Sequence, residues 1–389
     1  MKSDLAGVRV LLLEGFARQI MPLLQALHDL DCHVTTYNES KLDMGYVSRY
    51  PNKKLIEFWD RNDAQRSLEA LRKVLKRDKY DVVIPMTDFS ASILSQNKEE
   101  LTQYSAIAVN DWDVFQMAID KQNTMITCME KGIPCPFTLR NVETLDDILK
   151  SELKYPFVIK PRTGYSSIGF HCIKNEEQLR RVVDGYVAVH GKMLVQEYIP
   201  QTDVQYKAQL FIDNDGNVKS AFVMNKSRWY PIDGGSSCCN TSVIRPDIVE
   251  SSVKLLKAIG WRGYGDIDLI HDPRDGVAKI FEINPRITGS VKICFAAGVD
   301  FARQLVEFET GRAVTEYLDY KLDTCMRYMH TDILWFLQSP NRFKSEPSWF
   351  SFKNTTDQIF SLKDPWPFFT YSLQAIEKFG REMKRRKRS

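Results

Sequence analysis

Short apolar segments alternate with amphipathic ones over the first hundred residues. Residues 8–13, 33–37 and 81–85 are rich in apolar and β-branched residues, a composition typical of strands. Residues 63–77 instead carry charged positions on one face and apolar positions at helical spacing, which predicts an amphipathic helix. Strands that alternate with helices predict a parallel, doubly wound sheet. We therefore expect residues 1–113 to form an α/β domain.

The pattern changes near residue 115. A helix is predicted over residues 114–131, and short alternating strands follow from 157 to 285, interrupted by a helix over 247–259. This mixture is typical of an α+β domain, which we assign to residues 114–312. Residues 313–389 are less periodic and are expected to form a C-terminal extension with an aromatic segment and a basic tail.

Charge is concentrated at the end of the chain. The 389 residues hold 53 Lys+Arg and 50 Asp+Glu, a net charge of +3. Residues 381–389 hold six basic side chains and one acid, a net +5, which leaves −2 for the remainder. A basic body that would bind nucleic acid is therefore absent from the sequence.

The apolar runs and the cysteines both favour a cytoplasmic protein. No apolar run approaches the roughly 20 residues that a membrane-spanning helix requires. The eight cysteines include no C-x-x-C pair, so reduced thiols are expected. The six histidines show no metal-ligand spacing, which argues against a zinc enzyme.

A candidate phosphate-binding loop follows the strand that ends at Lys160. Glycines and hydroxyl residues come next, at Gly164, Ser166, Ser167 and Gly169. Backbone N–H groups and hydroxyls in such a loop can hold a phosphate, and the lysine supplies a fixed positive charge. A hairpin turn with a surface lysine fits the same pattern.

A candidate cation site lies on two later strands. Glu282 and Asn284 are two residues apart and so project from the same face, and Asp268 on a neighbouring strand can join them. Three oxygen donors without His or Cys suit Mg²⁺ shared with substrate phosphates. Arg286 follows at once and can bind a phosphate. The alternative is a solvated strand face, which the flanking apolar residues disfavour.

Taken together and in this order, these segments resemble the ATP-grasp superfamily. Within it they resemble the carboxylate–amine ligases related to carbamoyl-phosphate synthase and D-aspartate ligase. The resemblance covers roughly residues 5–312 and includes residues 84–91 (IPMTDFSA), 120–124 (DKQNT), 132–136 (GIPCP) and the strand end at 194–200 (LVQEYIP). It implies a two-lobed α+β ATP-grasp fold with a hinge near 197–200, placed after the α/β domain.

The resemblance also implies roles for individual residues. Lys121 and Lys160 would contact the ATP phosphates, with Lys160 also near the adenine, and the loop at 162–169 would close over them. The remaining implied roles are adenine binding by Glu197, Tyr198 and Ile199, Mg²⁺ binding by Asp268, Glu282 and Asn284, and stabilisation of the transferred phosphoryl group by Arg286.

Two assignments keep alternatives open. Many relatives bind the ribose hydroxyls with a glutamate shortly after the hinge, where this chain has Gln205 and, two residues earlier, Asp203. Either residue can take that role. Lys226 and Arg228 lie in a segment that faces the acceptor pocket in relatives, and both suit a carboxylate or an acyl phosphate. A solvated hairpin is the other interpretation of that segment.

The function implied is an ATP-dependent carboxylate–amine ligase acting through an acyl phosphate and releasing ADP and phosphate. The implied cofactors are ATP and Mg²⁺, with two ions expected and Mn²⁺ as a substitute. The implied partners are a small-molecule carboxylate and amine. Two alternatives remain: an enzyme that forms an acyl phosphate of the carbamoyl-phosphate kind without an amine acceptor, and a catalytically silent nucleotide-binding protein docked at a membrane.

The C-terminal residues leave the site of action open. The aromatic segment at 364–369 and the basic end could lie on an anionic membrane surface, which would place the protein at the inner face of a membrane. A solvated basic tail after a packed aromatic anchor is the other interpretation.

Overall fold

The computed structural model describes residues 3–164, 169–202, 204–232 and 235–375. Within these ranges the strands are β1 Arg9–Leu12, β2 His33–Asn38, β3 Lys53–Ile56, β4 Val82–Ile84, β5 Ala106–Ile107, β6 Phe157–Pro161, β7 His171–Ile173, β8 Met193–Glu197, β9 Gln205–Ile212, β10 Val218–Tyr230, β11 Ser236–Val243, β12 Gly263–His271, β13 Ala278–Asn284, β14 Cys325–Arg327 and β15 Thr355–Asp357.

The helices in the same ranges are α1 Ile20–Asp29, α2 Met44–Val47, α3 Ala64–Arg77, α4 Asp88–Gln96, α5 Lys98–Leu101, α6 Trp112–Ile119, α7 Lys121–Glu130, α8 Leu145–Leu149, α9 Glu176–Val183, α10 Tyr186–His190, α11 Pro246–Ala258, α12 Lys292–Ala297, α13 Phe301–Glu309 and α14 Met329–Gln338. A 3₁₀ turn spans Gly289–Val291, and residues 366–375 are helical. Of the described helices, none is both long and apolar enough to cross a membrane.

The first domain is built on a parallel sheet in the order β3-β2-β1-β4-β5. Arg9 pairs with His33 and Val10 with Val82 in parallel register. Two apolar clusters pack on its faces, one through α1 and one through α3. The predicted doubly wound α/β domain is confirmed. Because the strands are parallel, the loops after β1, β2 and β4 meet at one edge of the sheet.

The rest of the chain forms two largely antiparallel sheets. A three-stranded sheet has the order β7-β6-β8, and a seven-stranded sheet has the order β13-β12-β9-β10-β11-β14-β15. The two sheets form the two lobes that the resemblance implies. The last two strands come from the C-terminal extension, which therefore completes the sheet that carries the candidate site.

One predicted helix is two. The helix predicted over 114–131 is interrupted at Asp120, whose backbone is extended (φ −89°, ψ 106°). The Asp120 side chain accepts a hydrogen bond from the Gln122 N–H and so caps α7. Its carboxylate also binds Arg162, with the shortest contact at 2.5 Å. A capping aspartate inside an apolar helical pattern explains why the periodicity alone did not indicate the break.

Candidate active site

Three neighbouring strands bring oppositely charged side chains together in the seven-stranded sheet. In the antiparallel register, Asp268 of β12 lies opposite Glu282 of β13 and opposite Lys207 of β9. Asp266 lies opposite Asn284. Residues on the same face of paired strands are close enough for direct contact. The strand pairing therefore builds the predicted oxygen-donor set from residues that are distant in sequence.

A group of five side chains forms what we call the lysine cluster: Lys207, Lys226, Asp266, Asp268 and Asn284. Lys207 binds Asp266 and also binds Asp268 at 3.2 Å, while Lys226 binds the other oxygen of Asp268. The Asn284 amide donates to Asp266 at 2.9 Å and to Asp268 at 2.8 Å. Burial raises the pKa of Asp268, but Lys207 and Lys226 outweigh it and hold that pKa well below its usual value.

Two further lysines lie beside Glu282. The Lys121 ammonium is 3.1 Å from Glu282 Oε1 and donates to the Gly164 carbonyl at 2.8 Å. Lys160 lies over the Phe281 ring, 5.5 Å from its centroid. Burial lowers the pKa of Lys160 to about 8, and Glu282 opposes that shift. The structure thus brings both predicted phosphate-binding lysines to the predicted cation-binding glutamate.

The ends of the predicted phosphate loop are described, but its centre is not. Gly164 has φ +126° and accepts from Lys121, and Gly169 has φ +73° and accepts from the Tyr186 hydroxyl at 2.7 Å. Positive φ values such as these favour glycine, which has no Cβ atom. Ser166 and Ser167 lie outside the described residues, as does Asp203 of the predicted ribose pair.

The predicted hinge is anchored through Glu197. Its Oε1 accepts from the Phe137 N–H at 2.9 Å, and its Oε2 accepts from Arg274 at 2.9 Å. Ile199 is buried and Tyr198 is half-buried in the segment that follows β8. Gln205 begins β9 and pairs with Lys226 of β10. The hinge segment therefore connects β8 to β9. Gln205, the remaining ribose candidate, begins β9, the same strand that carries Lys207 of the lysine cluster.

Arg286 connects the site to the first domain. Its guanidinium binds both carboxylate oxygens of Asp88, at 2.8 and 3.1 Å. Asp88 is the first residue of α4, directly after the loop that follows β4. Arg286 also lines a cavity of about 240 Å³ between the first domain and the start of β12. This arginine is held at the domain boundary.

Arg228 does not fit its predicted place in the acceptor pocket. Its guanidinium is buried against Asp332, with an Nε–Oδ1 distance of 2.7 Å, and donates to the Pro347 carbonyl at 2.7 Å. Arg327 binds the same aspartate at 2.5 Å. We call Arg228, Arg327 and Asp332 the arginine cluster. A substrate carboxylate cannot compete for donors that are already bonded and buried.

Three members of the site are not among the residues that the sequence predicts: Lys207, Asp266 and Asp88. Lys207 and Gln209 alternate with the apolar Ala208 and Leu210 along β9, a signal that polar groups line one face of a buried strand. The pairing of Asp88 with Arg286 joins residues 198 positions apart.

The donor set fits a hard cation that also binds phosphate. In the described part of the chain, no three His, Cys, Asp or Glu side chains converge as metal ligands. Asp268, Glu282 and Asn284 instead offer two carboxylates and one amide oxygen. Such a set suits Mg²⁺ that takes its remaining ligands from water and nucleotide phosphates.

Comparison with known proteins agrees with this geometry. Residues 118–290 match the family described as the ATP-grasp domain. The chain is 27% identical to a D-aspartate ligase of Enterococcus faecium, over 70% of this chain and 69% of that protein. It is 27% identical to a D-alanine–D-alanine ligase of Carboxydothermus hydrogenoformans, over 43% of this chain and 59% of that protein.

Solved structures show the same fold at lower identity. A biotin carboxylase of Campylobacter jejuni in a β,γ-ATP complex has a TM-score of 0.69 and 16% identity, over 81% of this chain and 74% of that one. An L-amino acid ligase of Bacillus licheniformis has a TM-score of 0.62 and 16% identity, over 78% of this chain and 74% of that one.

Proposed function

The chain belongs to the ATP-grasp superfamily of ATP-binding ligases, and from that premise we propose that it joins a carboxylate to an amine while converting ATP to ADP and phosphate. The observation that carries the proposal is the meeting of four lysines with Asp268, Glu282 and Asn284. The lysines are Lys121, Lys160, Lys207 and Lys226. Positive charge around an oxygen-donor set suits a polyphosphate and its cation.

In this proposal Lys121 and Lys160 bind the ATP phosphates, and the hinge at 197–199 binds the adenine. Gln205 binds the ribose. Asp268, Glu282 and Asn284 hold two Mg²⁺ ions. When bound, the cation neutralises charge on the phosphate oxygens.

The chemistry requires no nucleophile from the protein. A substrate carboxylate attacks the γ-phosphorus, the bond to ADP breaks, and an acyl phosphate forms. The amine then attacks the acyl carbon, loses a proton, and displaces phosphate. Lys226 and Arg286 supply fixed positive charge where negative charge develops, so positioning and electrostatics provide the catalysis.

Amino acids are the proposed substrate class. Both curated relatives described above are named as ligases of amino acids. The Lys226 ammonium, held against Asp268, is of the right charge to meet an acyl phosphate or a carboxylate. We therefore expect amino acids to supply both the carboxylate and the amine.

The direct test is ADP release with ATP and Mg²⁺ against a panel of D- and L-amino acids, supplied singly and in pairs. Release that requires two compounds supports a ligase and identifies both substrates. Release with one carboxylate and no amine would favour the acyl-phosphate-forming enzyme instead. No release with any pair would contradict the proposal.

The matched variant is Glu282→Ala. We expect it to abolish turnover while its melting temperature stays near that of the wild type, because Glu282 is only partly buried and binds one lysine. A fully active Glu282→Ala protein would contradict the proposed cation site.

A further inference from the structure

Arg18 lies in the loop between β1 and α1, at the edge of the parallel sheet where the loops after β1, β2 and β4 meet. Its guanidinium carbon is 4.4 Å from the centroid of the Tyr328 ring. Its NH1 group donates to Gln358 Oε1 at 3.1 Å. Both contacts come from the C-terminal extension, beyond the matched residues 118–290. The extension therefore fixes the orientation of an arginine in the first domain.

The charge of Arg18 is not compensated by the residues around it. The side chain is half-buried, and its two contacts are a neutral amide and an aromatic ring. Across the described ranges no carboxylate forms an ion pair with it, whereas Arg162 has Asp120 and Arg286 has Asp88. Because its contacts are neutral, the Arg18 guanidinium keeps its charge available for an anion that does not belong to the described chain.

Arg18 faces the same junction as Arg286. Gln19 donates to the Met86 carbonyl, so the loops after β1 and β4 are in contact. On the other side is Gly289, where an added Cβ would lie 3.9 Å from the Arg18 Cβ and 2.4 Å from the Gln358 amide nitrogen. Three loops thus converge on this arginine, and one of them carries Arg286.

We propose that Arg18 binds a substrate carboxylate that is not phosphorylated, and that Tyr328 and Gln358 position it for that purpose. This inference rests on the proposed function. The reacting carboxylate is consumed when it becomes an acyl phosphate, whose charge lies on the phosphoryl group, and then a neutral amide. A spectator carboxylate keeps its charge throughout, so a fixed planar guanidinium can bind it in every step. The amino acid that supplies the amine always carries such a group.

The first test is a kinetic comparison of Arg18→Gln with the wild type. We expect the KM of one amino acid substrate to rise about 30-fold or more, which corresponds to about 2 kcal/mol of lost binding free energy. The KM for ATP should stay within about twofold. Arg49→Gln is the matched control, because Arg49 also reaches from the first domain to the extension, at the Lys363 carbonyl, but is exposed. Unchanged amino acid KM values in Arg18→Gln would overturn the inference.

Rescue separates binding from a structural role. Added guanidinium should restore a low KM to Arg18→Ala, because it replaces the missing group without repairing the loop. Gln358→Ala should raise the same KM by a smaller factor, as expected of a positioning residue. A rise in the ATP KM together with a lowered melting temperature, without rescue, would mean that Arg18 is structural.

Direct binding distinguishes failure of this inference from failure of the proposed function. Calorimetry on the full chain would use D- and L-aspartate and D- and L-alanine as probes. We expect at least one probe to bind the wild type and to bind Arg18→Gln at least about 30-fold more weakly. If no probe binds, or if affinity is unchanged, the inference fails. The proposed function fails separately, through the absence of ADP release.

Discussion

The lysine cluster and the arginine cluster each include one residue of β10, and these two residues are two positions apart. The ion pairs of the two clusters nevertheless have different roles. Lys226 and Arg228 both lie on β10, and both bind a buried aspartate. Around Lys226 the neighbours are further lysines, carboxylates and an amide. Around Arg228 they are the ring of Trp335, at 5.2 Å, the Pro347 carbonyl and a second arginine on the same aspartate. The same ion-pair chemistry therefore serves two purposes in one strand.

The difference lies in whether the cation can exchange its partner. A lysine ammonium is a compact charge on a flexible stem, and it can leave an aspartate for a phosphate or carboxylate that enters the site. A guanidinium bonded at several nitrogens and packed against a ring cannot do so without exposing a buried charge. Ion pairs in the lysine cluster are thus a resting arrangement, whereas those in the arginine cluster are part of the fold.

The largest effect should come from breaking the arginine cluster on one side. Asp332→Ala leaves Arg228 and Arg327 buried without their carboxylate, so we expect the free energy of unfolding to fall by about 3 to 5 kcal/mol. Urea denaturation measures this change in the free energy of unfolding. Asp319→Ala, at an exposed aspartate of the same extension, should change stability by less than about 0.5 kcal/mol. Equal losses in both variants would contradict the structural role of the arginine cluster.

The second effect concerns activity. Lys226→Met should lower kcat by about 10² to 10³, because it removes one positive charge that stabilises the transition state. Its melting temperature should stay near that of the wild type. Lys219→Met is the control, since Lys219 lies on the same strand but binds Glu316 at 2.9 Å, away from the cluster. A Lys226→Met protein with a lowered melting temperature and an unchanged kcat would reverse our interpretation.

The third effect is a pH dependence of ATP binding. Burial lowers the pKa of Lys160 to about 8, so the ammonium loses its proton above that pH. The KM for ATP should rise by up to about tenfold per pH unit above pH 8, since phosphate binds the charged form. The folded protein binds fewer protons than the unfolded chain between about pH 8 and 10.5, so the free energy of unfolding should increase across that window.

Lys160→Arg tests the assignment, because arginine stays charged throughout that range. We expect the KM for ATP to become independent of pH between 7 and 9.5 in this variant. If the wild type and Lys160→Arg show the same slope, another group controls ATP binding.

The smallest effect should come from replacing the whole arginine cluster by apolar residues. A buried ion pair exchanged for well-packed apolar side chains is often neutral. We expect the triple variant Arg228→Met, Arg327→Met, Asp332→Leu to lie within about 1 kcal/mol of the wild type in unfolding free energy and to remain active. A loss as large as that of Asp332→Ala would show that the charges themselves specify the fold.

Local patterns predicted the parallel sheet, the amphipathic helix α3 and the pairing of Asp268 with Glu282, because each depends on periodicity or strand alternation. The sequence predicts the same role for Arg228 as for Lys226, because the two residues have the same charge and the same position in the strand alternation. Their difference depends on Asp332, 104 positions further along the chain. Contacts between residues so far apart in sequence depend on tertiary packing, so a local sequence pattern cannot predict them.

The dependence of Arg228 on later residues also bears on how the protein is synthesised. A nascent chain that has emerged as far as residue 312 holds every proposed phosphate-binding residue, but it lacks Asp332 and Gln358. Arg228 would then be a buried charge without its carboxylate, and β11 would be an unpaired edge strand. Domains otherwise fold in order from the N-terminus during translation. The arginine cluster and the pairing of β11 with β14 can therefore form only after the C-terminal extension has been synthesised.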